Sequence, residues 1–370
     1  MTQVLVDPHA TRETVALHRN LGALRGRATL FGHQDDLAYG HTWSAEDGRS
    51  DVREVVGAYP AVLGFDVGRI ELGAPANIDG VDFRTMKRWI RHGHDMGSVI
   101  TLSWHSVNPV TGGGYGDNIS PDAIAHVLPG GSHHRVLIDW LDRFAAFDAD
   151  LVDAGGRPIP LVFRPYHEHS GDWFWWGVRN DLNPVEHFVA LWRFTVDHLR
   201  DKGVRNLLWA VSPDRSRMDI GNLARDYLDI YPGDDYVDIL GIDNYWDVGH
   251  PANPAPPEQQ YRDYVRTLET VSVLAQRHGK LAAQTETAAA RGHAAPWTGH
   301  LLSALKTDER TRRILWSLVW RNPVGGGAGA PYPGEATTAD FAAFHRDPFT
   351  MFADTVPDLY ASPRPHISTS

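Results

Sequence analysis

The feature that most constrains the fold of this chain is a regular alternation of short apolar runs with longer segments of helical character. Eight such runs follow one another along the sequence, and each has the length and composition of a strand that is buried on both faces. They occupy residues 29–32, 61–65, 99–103, 161–163, 207–211, 239–242, 281–285 and 314–319. The alternation predicts a parallel sheet in which a helix follows each strand.

The segments between these runs have apolar residues at helical spacing. One is preceded by Asn183-Pro184 and followed by Gly203, which are typical helix boundaries. Eight strand–helix pairs favour a (β/α)8 TIM barrel, although the periodicity leaves an open doubly wound sheet as an alternative. We expect one catalytic domain over residues 1–370, with a helix at about residues 10–25 before the first strand. Three long loops, at 108–117, 247–257 and 322–334, each follow a predicted strand.

Charge and composition limit the partners of this chain. Acidic residues number 46 and basic residues 35, which gives a net charge of −11 without any Lys/Arg run. This balance argues against nucleic acid or an anionic membrane as a partner and is compatible with a neutral polymer. The chain has no cysteine, so disulfides and thiolate chemistry are excluded.

The sequence also gives expectations about location and assembly. The first ten residues lack the apolar core of a signal peptide, and no run of about 18 apolar residues is present. We therefore expect a cytoplasmic protein, with a secreted protein whose leader has been removed as the alternative. We further expect a monomer.

The strongest chemical signal lies at residues 159–177. A short apolar run ends in Arg164, His167 and Glu168 and is followed by four consecutive aromatic residues, 173–176. A carboxyl group beside so much aromatic surface loses hydration, which favours its protonated form and suits a general acid. Four rings in a row on a loop that begins and ends with glycine are difficult to place in one core, and flat rings suit the apolar faces of sugars.

A second carboxyl group, Glu286, ends the seventh predicted strand. In a closed barrel the ends of the fourth and seventh strands meet at one mouth, so Glu168 and Glu286 are predicted to face each other there. Two such carboxyl groups suffice for glycoside hydrolysis, with retention at a separation of roughly 5–5.5 Å and inversion at about 6.5–9.5 Å. The sequence leaves that separation open. Tyr245 is placed to donate a hydrogen bond to Glu286, and Trp320 to form the floor under the sugar.

Two other functions remain open on these residues. The first is a metal-dependent barrel hydrolase that uses a set of His and Asp residues predicted at the barrel mouth. That set comprises His33, Asp35, Asp36, His105, His167 and His169. Its weakness is that Gly171 stands where a zinc-binding helix motif needs its second histidine. The second is a sugar-binding barrel that uses the tryptophans without turnover.

Several segments of the chain resemble glycoside hydrolase family 26, whose members are mostly β-mannanases. The segment F-R-P-Y-H-E-H-S-G-D-W-F-W-W-G at 163–177 is similar to the family signature. Five further segments occur in family order, and together they span most of the chain. They are G-H-Q-D-D-L-A-Y-G at 32–40, S-W-H-S-V-N-P at 103–109, G-I-D-N-Y-W at 241–246, T-E-T at 285–287 and W-R-N at 320–322.

The resemblance implies a retaining mechanism without a metal or organic cofactor. It assigns Glu168 as the acid/base and Glu286 as the nucleophile. The resemblance also implies a set of substrate-binding residues, to which we add Trp246, the aromatic residue that follows Tyr245. The full set is His105, His167, Trp173, Asp243, Tyr245, Trp246, Trp320 and Arg321. Among these, Trp173 would stack a sugar on the leaving-group side, and His105, Asp243 and Arg321 would line the non-reducing side.

The chain departs from the family pattern at His169-Ser170, where many members have Met-Asn, and at Ala288, where they have Gly. Neither change touches a group that moves protons or electrons. We therefore predict an enzyme that hydrolyses the β-1,4-mannosidic bonds of mannan, glucomannan, galactomannan or manno-oligosaccharides. Xylan or mixed-linkage glucan is the alternative substrate. Whether the enzyme cleaves the polymer internally or at a chain end depends on loops that close the cleft. Residues 32–43 and 108–117 are the candidate walls.

Overall fold

Eight parallel strands form a closed barrel in the computed structural model, which describes residues 5–361. The strands are β1 (Thr29–Gln34), β2 (Val62–Asp66), β3 (Val99–Trp104), β4 (Leu161–Pro165), β5 (Leu207–Val211), β6 (Ile239–Asn244), β7 (Leu281–Thr287) and β8 (Trp316–Val319). Each strand pairs with the next, and β8 returns to pair with β1 from Leu30↔Trp316 to His33↔Val319. The barrel prediction is confirmed and the open-sheet alternative was wrong. Residues 1–4 and 362–370, the ends of the predicted domain, lie outside the described residues.

Each of the eight predicted runs coincides with a strand, and the differences lie at the ends. Strands β1, β4, β6 and β7 continue two residues beyond the predicted runs, while β8 begins at Trp316 instead of residue 314. The added residues include Asp243 and Glu286, because hydrogen bonding to neighbouring strands continues past the apolar part of the sequence. The barrel therefore carries polar groups on the strands themselves as well as on the loops.

Helices follow the strands and cover the outside of the barrel. They are α1 (Arg12–Leu24), α2 (Asp51–Val56), α3 (Phe83–Asp95), α4 (Ala123–Val127), α5 (His134–Ala149), α6 (Val185–Asp201), α7 (Leu223–Asp229), α8 (Pro257–Arg277), α9 (Ser303–Leu305) and α10 (Thr338–His345). A π-helix, Pro296–Leu302, precedes α9. The predicted N-terminal helix is α1, which Thr11 caps by accepting a hydrogen bond from the Thr14 amide at 3.2 Å. None of the helices between residues 5 and 361 is long and apolar enough to cross a membrane.

Alternate residues of each strand contribute to two separate apolar clusters. Leu30, Val62, Val162 and Leu208 belong to the cluster inside the barrel, which Leu17 and Leu21 of α1 also join. Their sequence neighbours Phe31, Leu63, Phe163 and Trp209 belong to the cluster between the barrel and the helices. Because side chains alternate along a strand, the inward-facing position nearest the C-terminal end of each strand is left for polar residues.

The barrel interior is closely packed beneath this polar level. A β-carbon added at Gly241 of β6 would lie 2.7 Å from Ser212 Oγ and 2.7 Å from both Thr285 Oγ1 and Thr285 Cγ2. Ser212 Oγ also donates a hydrogen bond to Thr285 Oγ1 at 2.8 Å. A methyl group at position 241 would therefore displace two hydrogen-bonded side chains that have no room to move.

We predict that Gly241→Ala lowers the free energy of unfolding by about 1–3 kcal/mol, as overpacking of a filled core does. Urea or thermal unfolding measures the effect. Gly327→Ala is the control, because a β-carbon there meets no atom within 4 Å and should change stability little. Equal stability of the two variants would contradict the closely packed interior.

Candidate active site

A cleft of about 910 Å³ lies at the C-terminal end of the barrel. Seven of the ten predicted site residues line it. They are His105, His167, Glu168, Tyr245, Glu286, Trp320 and Arg321. The other three, Trp173, Asp243 and Trp246, do not line the cleft, and their positions are given below.

Glu286 lies on β7 at the bottom of the cleft, with its side chain 4% exposed. Arg164 Nη2 of β4 donates a hydrogen bond to Glu286 Oε1. Tyr245 OH donates to Glu286 Oε2 at 2.9 Å, which is the hydrogen bond that the sequence predicted. Burial raises the pKa of Tyr245 well above its usual value, and the negative charge of Glu286 acts in the same direction, so the phenol stays a donor. Both oxygens of Glu286 thus accept hydrogen bonds, which fixes the orientation of the carboxyl group.

Asp243 lies beneath the cleft and is not among the residues that line it, so its predicted place beside a sugar stays a prediction. It pairs with Glu286 across β6 and β7 and is fully buried. Arg164 Nη1 donates to Asp243 Oδ2 at 2.9 Å, and Thr285 Oγ1 donates to Asp243 Oδ1 at 2.7 Å. These two donors account for both carboxylate oxygens of Asp243, which lie beside the carboxyl groups of the cleft. Its partner Arg164 connects Asp243 directly to Glu286.

Glu168 follows β4 in an unusual backbone conformation. Tyr166 has φ = +51° and Glu168 has φ = +54°, a left-handed region that non-glycine residues rarely adopt. The Glu168 amide donates to the Ser212 carbonyl after β5 at 2.6 Å, which fixes this turn against the neighbouring strand. The turn directs the Glu168 side chain into the cleft, where it is half-buried.

The surroundings of Glu168 favour its protonated form. Burial raises the pKa of Glu168 well above its ordinary value, and the negative charges of Asp214, Glu286 and Asp243 act in the same direction. A hydrogen bond from Trp173 Nε1 to Glu168 Oε2, at 2.6 Å, partly opposes this rise. The two carboxyl groups of the cleft therefore differ: Glu286 accepts hydrogen bonds from a cation and a phenol, whereas Glu168 is surrounded by other acids.

The two carboxyl groups also approach each other closely. One oxygen each from Glu168, Asp243 and Glu286 lie within 4.8 Å of one another. This is the one set of three or more potential metal ligands that the structure brings together within residues 5–361. Arg164 already donates hydrogen bonds to two of its members.

The histidines and aspartates of the metal alternative do not meet at one point. Instead they bind other partners: His33 Nδ1 donates to Asp36 at 2.7 Å, His105 Nδ1 donates to Asp66 at 2.7 Å, and the His169 ring stacks on Phe188. His105 and His167 lie together in the cleft, but within residues 5–361 the six predicted ligands do not form one set.

His105 and His167 form one side of the cleft, with ring centroids 4.5 Å apart. Because Nδ1 of His105 donates to Asp66, Nε2 of the neutral ring is left as an acceptor toward a ligand. His167 Nε2 lies 3.9 Å from Glu286 Oε1. Burial lowers the pKa of His167 well below its ordinary value, and the charges of His105 and Arg164 lower it further, so the ring is neutral.

The aromatic loop contributes less open surface than the sequence indicated. Trp175 and Trp176 are 1% and 0% exposed and belong to the core, while Phe174 lines the cleft. Trp173 is half-buried and lies beside Glu168, with the Arg217 guanidinium 5.4 Å from its ring centroid. The structure therefore places Trp173 in contact with the acid, and its stacking on a sugar stays a prediction.

Trp246 lies outside the cleft. Its half-buried ring faces His250, at a centroid distance of 5.2 Å, and its carbonyl accepts a hydrogen bond from Asn253. The loop after β6 turns away from the barrel axis directly after Tyr245, so adjacent aromatic residues point to different places.

Other cleft residues were not predicted from the sequence. Arg321 Nη2 forms an ion pair with Asp79 Oδ1 at 3.0 Å, joining the loops after β8 and β2. Tyr115 also lines the cleft. It belongs to the glycine-rich loop at 108–117, which the sequence predicted as a wall, and residues 112–115 of that loop line the cleft. Residues 32–43 do not line it and reach it only through Tyr39, whose hydroxyl accepts a hydrogen bond from Arg321. Nothing around Asp79 in the sequence signalled its role.

Comparisons with known proteins agree with this geometry. The model of Glycosyl hydrolase family 26 matches residues 6–300. A mannan endo-1,4-beta-mannosidase from Bifidobacterium adolescentis is 34% identical over 357 residues, which cover 91% of this chain and 34% of that protein. This chain thus spans about a third of the length of that relative.

Solved structures give the same result. A GH26 beta-mannanase from Bacteroides ovatus superimposes with a TM-score of 0.87 at 40% identity, covering 96% of this chain and 99% of that one. A modular endo-beta-1,4-mannanase from Cellulomonas fimi gives a TM-score of 0.87 at 36% identity, covering 98% of this chain and 80% of that one. With the match of the family model, these similarities show that the chain belongs to glycosyl hydrolase family 26.

Proposed function

We propose that this protein is a retaining hydrolase of β-1,4-linked mannan, with Glu286 as the nucleophile and Glu168 as the acid/base. The observation that carries the proposal is the approach of their carboxylate oxygens to within 4.8 Å. Retaining glycosidases hold their two carboxyl groups roughly 5–5.5 Å apart, and inverting enzymes need about 6.5–9.5 Å to admit a water molecule. The spacing here favours direct attack by a carboxylate.

In the first step Glu286 attacks the anomeric carbon and forms an ester with the sugar. The bond from that carbon to the leaving oxygen breaks, and Glu168 transfers its proton to this oxygen. In the second step Glu168, now ionised, takes a proton from a water molecule that attacks the same carbon. The ester breaks and Glu286 returns to its carboxylate form, while Glu168 regains its proton.

Arg164 and Tyr245 support Glu286 both as the attacking carboxylate and as the ester with the sugar. Their hydrogen bonds occupy both carboxylate oxygens, which orients the group for attack. As the ester forms, the oxygen that does not bond to the sugar keeps one of these donors. His105 and His167 lie beside the carboxylate as neutral or fixed rings that can hydrogen-bond sugar hydroxyls.

The choice of mannan as substrate is supported by the relatives described above, which are named mannanases and mannosidases. A cleft that is open to solvent and lined by Trp320, Tyr115 and Phe174 suits the apolar faces of a neutral polysaccharide. Parallel assays on mannan, xylan and mixed-linkage glucan test the substrate class. Preference for either of the latter two would contradict mannan while leaving the two carboxyl roles in place.

Replacement of the nucleophile tests the reaction itself. We predict that Glu286→Gln lowers kcat on soluble mannan by on the order of 10⁴-fold or more, because a nucleophile that acts with its acid/base as a unit has no substitute. Reducing-sugar release measures the loss. Glu269→Gln, a change in a glutamate on α8 that pairs with Arg310 outside the cleft, is the control and should retain parental activity. Near-parental turnover by Glu286→Gln would refute the assignment.

The pH profile tests the environment of the acid. Because Glu168 must be protonated in the first step, kcat/KM is high below its pKa and falls as pH rises through it. Asp214→Asn removes a negative charge that raises this pKa, so the alkaline limb should move to lower pH. Trp173→Phe removes a hydrogen bond that lowers the pKa, so the limb should move to higher pH.

The opposite signs of these two shifts make the pH experiment specific. A general loss of packing would lower activity in both variants without moving their limbs apart. Initial rates on manno-oligosaccharides across the pH range give the two profiles. Shifts in the same direction would show that another group controls the alkaline limb.

A further inference from the structure

A second cavity, of about 640 Å³, lies beside α8 and shares no residue with the catalytic cleft. The loops after β6 and β7, the π-helix and the first turns of α8 enclose it. Its lining includes the polar and aromatic side chains of Asp247, Glu258, Tyr261, Arg262, Arg291 and His300. The proline-rich loop at 247–257 contributes to this cavity, and the proposed reaction makes no use of that loop.

His300 is the most informative residue of the cavity. It is 6% exposed, and the rings of Tyr261, Tyr264 and His293 surround it at centroid distances of 5.1, 5.0 and 5.9 Å. Within residues 5–361 its ring nitrogens have no hydrogen-bond partner. Burial lowers the pKa of His300 to about 4, and the charge of His293 contributes. A neutral imidazole offers one donor and one acceptor, and the His300 nitrogens are not among the buried unpartnered atoms, so they are open to a ligand in the cavity.

The walls of the cavity are fixed to each other. The Arg291 amide donates to the Val248 carbonyl at 3.0 Å, which joins the two loops, and Gly249 beside it has φ = +87°. The π-helix Pro296–Leu302 carries His300, and π-helical turns are rare and frequent at functional sites. The cavity is therefore a preformed recess with ordered walls.

The lining combines groups of opposite charge with an aromatic ring. Glu258 accepts hydrogen bonds, Arg262 and Arg291 donate them, and His300 does both. An anionic ligand would meet Glu258 and the buried Asp247, while an apolar ligand would leave His300 unpaired. A sugar has hydroxyls that both donate and accept and a flat face that packs on a ring such as Tyr261. The chemistry of the cavity therefore favours an uncharged saccharide.

We propose that this cavity is an accessory saccharide-binding site that holds a hexose unit of the polymer outside the catalytic cleft. The proposal rests on the proposed function, because it takes the polymer to be the substrate. A second contact with the same polymer molecule raises the fraction of protein bound to a polymer that spans both sites. It adds nothing to the binding of a short oligosaccharide that reaches the cleft alone. The site thus affects binding to polymer and leaves the chemistry unchanged.

The experiment uses His300→Phe, which keeps the ring and its packing while removing both nitrogens. In a Glu286→Ala background, which prevents digestion, depletion from solution measures affinity for insoluble mannan. We expect His300→Phe to weaken that affinity roughly three- to tenfold, the loss of about one hydrogen bond. Tyr261→Ala should weaken it also. His278→Phe, on the residue that directly follows α8, is the matched control and should bind like the parent.

Two further readouts separate this inference from the proposed function. With Glu286 intact, His300→Phe should hydrolyse mannotetraose with parental kcat/KM. Calorimetric titration of the Glu286→Ala protein with mannotriose should show two classes of site, and the added His300→Phe change should leave one. Unchanged affinity for mannan, or binding of sulfate in place of mannotriose, would overturn the accessory site. If the parent protein did not hydrolyse mannan, the proposed function would fail first.

Discussion

The arrangement of the catalytic cleft depends on one guanidinium group. Arg164, with its side chain 3% exposed, donates hydrogen bonds to Asp243 and Glu286. An unpaired buried cation or carboxylate is strongly unfavourable, so each member of this trio requires the others. Desolvation by itself would lower the pKa of Arg164, and the two carboxylates raise it. The guanidinium therefore fixes the position of Glu286, while Glu168 lies beyond its direct hydrogen bonds.

The barrel places these groups by register. Asp243 and Glu286 are partners across β6 and β7, just after an irregularity between Ile242 and Asp243. That irregularity shifts the alternation of side chains, so that Thr285 and Glu286, which are sequence neighbours, both interact with the polar network near the cleft. The left-handed turn at Tyr166 and Glu168 has the corresponding effect after β4. Local departures from regular geometry thus produce the approach of two carboxyl groups that proposed catalysis needs.

The fold and the meeting of Glu168 and Glu286 in one cleft could be predicted because they depend on local pattern. The strands could be identified directly from the apolar runs, and a carboxyl group at the C-terminal end of a strand lies at the barrel mouth. The directions of Trp246 and Asp243 could not be predicted, because one depends on a loop that turns away and the other on a buried arginine on a distant strand. Asp79 and Asp214 act through contacts between loops far apart in sequence, which leave no local pattern. The positions of the four aromatic residues at 173–176 were harder still to predict, since two of them, Trp175 and Trp176, fill the core.

The stereochemistry of the first product tests the central claim most directly. If Glu286 forms an ester with the sugar, two successive inversions at the anomeric carbon return it to its starting configuration. Proton NMR spectra taken during the first minutes of manno-oligosaccharide hydrolysis should therefore show the β-anomer before mutarotation. Initial release of the α-anomer would contradict the account, because it would require a water molecule to attack between two carboxyl groups that have one oxygen each within 4.8 Å of the other.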